Sequence, residues 1–212
     1  MFLPLLVMLF GSNLAWAFFM SRLGDPALAG METFRWGPVI WSVLQVVLLL
    51  LAIHGLRRMG VSLSALVGLE RGRLRGDLMK AVALAVVGVA VIQASTGAIQ
   101  MLLGSSDGPS FHPFALVWWT TVGSITAGVG EEAYFRGFLM ERLSWMGRGW
   151  LLFVTSLAFA LWHVNPLLFP HTFALGLIFG YLYLRWGRLF PIMLAHTLIN
   201  AIGGVMMMVG MG

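Results

Sequence analysis

Glu131 and Glu132 stand side by side in an apolar stretch that begins near Phe114 and contains Trp118, Trp119, Val122 and Val129. An ionised carboxylate in hydrocarbon costs several kcal/mol, so acids in such a segment are functional by default. On a helix, Glu132 and Arg136 are four apart with the acid first, the favourable order for an ion pair. Glu131 is rotated by about 100° from Glu132 and finds no cation at i+3 or i+4. Pairing accounts for Glu132 and leaves Glu131 as an unpaired carboxylate, a candidate general base. The competing reading makes both glutamates helix-end charges solvated at the membrane interface.

Two histidines lie in other apolar stretches. His163 closes Phe159-Ala160-Leu161-Trp162-His163, and His196 opens His196-Thr197-Leu198-Ile199-Asn200. His196 and Asn200 are four apart and share a helix face. Each polar group is costly alone in lipid, so the set is expected to converge inside one bundle. A carboxylate and an imidazole can activate water. A second imidazole and an amide can donate hydrogen bonds to a developing oxyanion. That combination suits hydrolysis of an amide without a covalent intermediate. Glu131, His163 and His196 are also a zinc donor set with room for a water, although no His-Glu-x-x-His helix occurs. Ser124 and Ser156 lie in apolar runs, but no Gly-x-Ser-x-Gly surrounds them.

Glu131-Glu132-x-x-x-Arg136, then Phe159-x-x-x-His163, then His196-x-x-x-Asn200, in that order on three helices, resembles the signature of the CPBP family. These are the CAAX-processing and bacteriocin-processing intramembrane proteases, also called the ABI family. Every motif position is filled, and the resemblance spans roughly Phe114 to Gly204. It implies a membrane-embedded endopeptidase; eukaryotic and archaeal members remove the last three residues of prenylated CAAX proteins. By resemblance, Glu131 activates water with help from His163, and His196 with Asn200 forms the oxyanion site. Glu132, Arg136 and Phe159 are then structural support. The reading prefers a glutamate mechanism with no cofactor, with zinc on Glu131, His163 and His196 as the alternative.

The rest of the chain must bring these groups together. It is 59% hydrophobic and 10% charged, against about 25% charged in soluble domains. The formal charge of +5 does not point to nucleic acid, because the basic residues are mostly arginines at the ends of apolar runs. With no cysteine, disulfides, thiolate metal sites and Cys nucleophiles are excluded.

Apolar runs extend from Met1 to about Met20, Trp36 to Ile53, Ala81 to Leu103, Pro113 to near Trp145, Trp150 to His163, Thr172 to Leu184, and from after Arg188 to the C-terminus. The first is read as a retained helix, despite Ala15-Trp16-Ala17, which resembles a signal cleavage site. A loop with Arg22, Asp25, Glu32 and Arg35 follows it. Gly104 to Ser110 is the clearest break. Gly176 and Gly180 form a small-xxx-small pair for close helix packing.

The expected fold is therefore an all-α membrane protein, a polytopic bundle of about seven transmembrane helices. It forms a single embedded domain over 1–212, with N-terminal helices in 1–103 and a catalytic core in 114–204. The basic stretch Arg57–Lys80 reads as an amphipathic surface segment. Placing it in the cytoplasm puts the N-terminus in and the C-terminus out. Counting ~1.5 Å per residue sets His163 farther outward than Glu131 and His196.

Weaker signals remain. His112 and His171, both in outward links, could bind a metal or sense pH, though turn roles suit them better. Met206-Met207-Met208 reads as lipid-facing filler. The function expected is an intramembrane endopeptidase in a prokaryotic cytoplasmic membrane, acting on a membrane protein or lipidated peptide. The alternatives are a non-catalytic immunity or scaffold protein, and a proton-coupled transporter.

Overall fold

The computed structural model describes residues 15–104, 112–163 and 165–210. Among them the secondary structure is helical, with no strand. Helix α1 covers the described residues 15–23, and the Met1–Met20 run otherwise lies outside the described residues. Helix α2 is Pro26–Arg58, α3 is the short Leu63–Val67, and α4 is Leu74–Leu103. Helix α5 runs over 113–142, α6 is Arg148–Trp162, α7 is Phe169–Trp186 and α8 is Phe190–Met208. The expected runs thus appear as α1, α2, α4, α5, α6, α7 and α8.

Three stretches are long and apolar enough to cross a membrane: Pro26–Arg58, Leu63–Leu103 and Phe190–Met208. Arg148–Trp162 is apolar but shorter. Large side chains such as Val82, Val86, Met101 and Leu102 are exposed on α4, as befits a helix face solvated by lipid.

Two expectations change at the N-terminal side. The stretch with Arg22, Asp25, Glu32 and Arg35, read as a short loop, is almost wholly helical. Only Gly24 and Asp25 interrupt the helices. Asp25 caps α2 by accepting from the Ala27 and Leu28 amides at 2.7 and 3.2 Å, and Pro26 starts the first turn. Asp-Pro is a helix start signal, and here it outweighs the local charge. The basic stretch 57–80 is also not one amphipathic surface helix. Gly60 and Gly68, both at positive φ, break it. Leu63, Leu66 and Val67 of α3 pack against the protein core. The Leu66 carbonyl accepts from the Leu189 amide at 2.8 Å. Asp77, 1% exposed, pairs with Arg188 at 2.6 Å and with Lys80 at 3.7 Å. The pair ties the start of α4 to the α7–α8 turn.

Helix α5 lies at the centre of the bundle. It packs against α2 and α8 and carries two π-helical stretches, Trp119–Gly123 and Ala133–Leu139. The second begins directly after the paired glutamates, and such π turns recur at functional sites. Small residues let the neighbouring backbones approach. A Cβ on Gly128 would collide with Thr197 and the Met193 carbonyl of α8, and one on Gly130 with the Gln45 carbonyl of α2. The small pair on α7 works as expected. A Cβ on Gly176 would lie 2.9 Å from Ser156, and one on Gly180 would lie 3.0 Å from Leu152, both on α6.

Candidate active site

Glu131 and Glu132 point into the bundle, 1% and 0% exposed, so neither is an interfacial charge. Glu132 Oε1 accepts from Arg136 Nη1 at 2.9 Å, the expected i,i+4 pair. It also accepts from His196 Nδ1 at 2.7 Å. Arg136 is itself buried. Its second nitrogen donates to the Gly176 carbonyl at 3.4 Å, and its guanidinium lies 4.2 Å from the centre of the Phe159 ring. Phe159 also meets the rings of His163 and His196, with centroids 5.0 and 6.0 Å away. It is the apolar floor shared by the cation and both imidazoles.

Glu131 has no cation within ion-pair distance among the described residues, apart from what its histidines would be if protonated. Its Oε1 accepts from the Gln45 amide at 2.5 Å and from the Trp162 indole at 3.1 Å. Its Oε2 has no hydrogen-bond partner. That oxygen faces His163 Nε2 at 4.0 Å and His196 Nε2 at 3.8 Å.

The tautomers follow from the partners. His163 Nδ1 lies 2.9 Å from the Phe159 carbonyl, which can only accept, so Nδ1 carries the proton. His196 Nδ1 donates to Glu132 by the same argument. In each neutral ring Nε2 then presents a lone pair toward Glu131. While both rings are neutral, three acceptors converge on one gap.

The expected depth mismatch of His163 does not occur. Helices α5 and α6 run antiparallel about a short link. Side chains on a helix lean toward its own N-terminus, so Glu131 and His163 lean toward each other and close the gap that counting backbone rise suggested. Asn200 lies one turn beyond His196 on α8, part-buried, with no hydrogen bond among the described residues.

Zinc holds nitrogen and oxygen ligands at about 2.0–2.2 Å, which spaces tetrahedral donors by roughly 3.3 Å. The separations of 3.8 and 4.0 Å are wider. Among the described residues no group of three His, Asp or Glu is arranged to hold a metal ion. The gap has the donor chemistry for zinc, at separations wider than a bound ion sets.

The other histidines behave differently from one another. His112 caps α5, its Nδ1 accepting from the Phe114 amide at 3.2 Å. His171 is not in a link but in the first turn of α7, buried, with Nδ1 unpartnered. Met206 accepts weakly from Gln93 at 3.7 Å, and Met207 and Met208 are exposed. Sequence reasoning missed Gln45 and Trp162. Gln45 is the one amide in the run Trp36–Ile53, and a lone amide in an apolar span needs a partner.

Residues 113–202, from the start of α5 through most of α8, match a family described as type II CAAX prenyl endopeptidase Rce1-like. No curated protein and no solved structure gives a match to the chain.

Proposed function

We propose, from the match of residues 113–202 to the Rce1-like family of CAAX proteases, that the chain is an intramembrane endopeptidase that activates water with Glu131 and His163. The observation that carries the reading is the unpartnered Glu131 Oε2 facing His163 Nε2 at 4.0 Å. A water lodged between them donates one hydrogen to each. Its oxygen attacks the carbonyl carbon of the scissile peptide as Glu131 takes a proton. Glu131 then returns that proton to the leaving nitrogen, so the two products are a carboxylic acid and an amine.

The oxyanion falls to His196 and Asn200. A neutral His196 with its proton on Nδ1 has nothing to donate at Nε2; the imidazolium does. Asn200 supplies a second donor through its Nδ2. Glu132 holds His196, Arg136 holds Glu132, and Phe159 carries all three.

The substrate in this reading is a membrane protein or a lipidated peptide held in the bilayer, and nucleic acid plays no part. The setting is a prokaryotic cytoplasmic membrane, with the basic segments on the cytoplasmic side.

Comparing the membrane peptidomes of cells carrying the parent protein and Glu131→Gln tests the proposal. Product peptides are expected to vanish in Glu131→Gln while the protein still accumulates in the membrane. Identical peptidomes, with biological activity retained by Glu131→Gln, would mark a non-catalytic scaffold. Activity that survives thorough chelation is expected; loss that zinc alone restores would establish the metal mechanism.

A further inference from the structure

Gln45 lies on α2, far from residues 113–202 in sequence, and its side chain is fully buried. Its amide nitrogen donates to Glu131 Oε1 at 2.5 Å. A carboxylate only accepts, so the amide must present its NH2 group there. The other end of the amide, Oε1, is buried with no partner. A methionine or leucine would fill the same space without stranding an acceptor. What the amide gains here is therefore its bond to Glu131, not its own packing.

The surroundings aim this donor. The missing Cβ of Gly130 lets the α5 backbone rest on the Gln45 carbonyl, which brings position 45 within reach of position 131. One turn earlier on α2, Ser42 accepts from the Trp118 indole at 3.0 Å, fixing the register of α2 on α5. Trp41 lies against Trp162 with ring centroids 5.4 Å apart, and Trp162 is the second donor to Glu131 Oε1.

Resting on the reading of Glu131 as the base, we propose that Gln45 is a positioning residue. With Trp162 it occupies one carboxylate oxygen, so that the other stays free and faces both imidazoles. Helix α2 then belongs to the working site although it lies outside the matched segment.

The test uses the full chain in lipid nanodiscs with Gln45→Met and Gln45→Glu. Isotope-edited infrared spectra report the Glu131 carboxylate stretch, identified by its absence in Glu131→Gln. The stretch is expected to shift in Gln45→Met because a donor has been removed. With a prenylated CAAX peptide as probe, kcat is expected to fall about 100-fold, the scale of a base displaced by an ångström, with KM little changed. Gln45→Glu keeps the size of the side chain, so it answers even where Gln45→Met does not assemble. Its carboxyl donates only when protonated, so its activity is expected to recover as the pH falls.

An unshifted Glu131 band in Gln45→Met would overturn the proposal. So would a loss of activity in Gln45→Glu that does not depend on pH. Should the parent protein cleave no peptide, the infrared arm still decides the role of Gln45, and only the endopeptidase reading falls.

Discussion

Glu132 serves two donors through one oxygen, the Arg136 guanidinium at 2.9 Å and the His196 imidazole at 2.7 Å. Removing its charge strands a buried cation. Glu132→Gln is therefore expected to destabilise the protein by about 3–5 kcal/mol, read as a lowered unfolding midpoint in detergent, and to abolish cleavage. The double variant Glu132→Gln with Arg136→Met removes the stranded cation as well and is expected to be more stable than the single one, yet equally inactive. Glu131, His163 and His196 were legible in the sequence because each is a costly group in an apolar run. The second duty of Glu132 was not. An i,i+4 partner on its own helix satisfied the local accounting, and the bond to His196 spans 64 residues. Gln45 and Trp162 escaped for a related reason: a neutral donor in a long apolar run does not disturb its reading as a span.

At the scale of the helices, close approach decides. Gly97 on α4 has open space where a Cβ would go, whereas Gly130 on α5 abuts the Gln45 backbone. Alanine gains up to about 1 kcal/mol over glycine inside a helix, and overpacking costs about 1–3 kcal/mol. Gly97→Ala is expected to raise the unfolding temperature slightly and Gly130→Ala to lower it, a difference in sign that thermal unfolding of the two purified variants checks. Continuous apolar runs located the long helices among the described residues, because a span must satisfy its own backbone and stay apolar for its whole length. Boundaries failed where polar chemistry competed with the apolar pattern. Charges hid the first turns of α2 behind its Asp25 cap, and an arginine-rich stretch hid the inward packing of Leu63, Leu66 and Val67 on α3. The π stretches of α5 left no trace in the pattern, since one extra residue per turn shifts a face without changing composition.

For the molecule as a whole, the Asp77–Arg188 pair and the Leu66–Leu189 bond fasten the basic segment to the turn between α7 and α8. The orientation proposed from the charge distribution puts that segment in the cytoplasm. Trypsin is expected to cut at Arg71, Arg73 or Arg75 in inside-out vesicles and to leave sealed right-side-out vesicles intact; cleavage only in the latter would reverse the topology. Asp77→Asn is expected to speed that cleavage by loosening the clamp. Helix α6 is different in kind from its neighbours. Its 15 residues reach about 22 Å, short of a hydrocarbon core of about 30 Å. In the connection to α7, the Leu168 amide donates to the Asn165 carbonyl at 3.0 Å and the Asn165 side chain accepts from the Leu167 amide at 3.0 Å. A helix that short draws the bilayer thinner beside it, and on the proposed function that thinning shortens the path by which water, the second reactant, reaches Glu131.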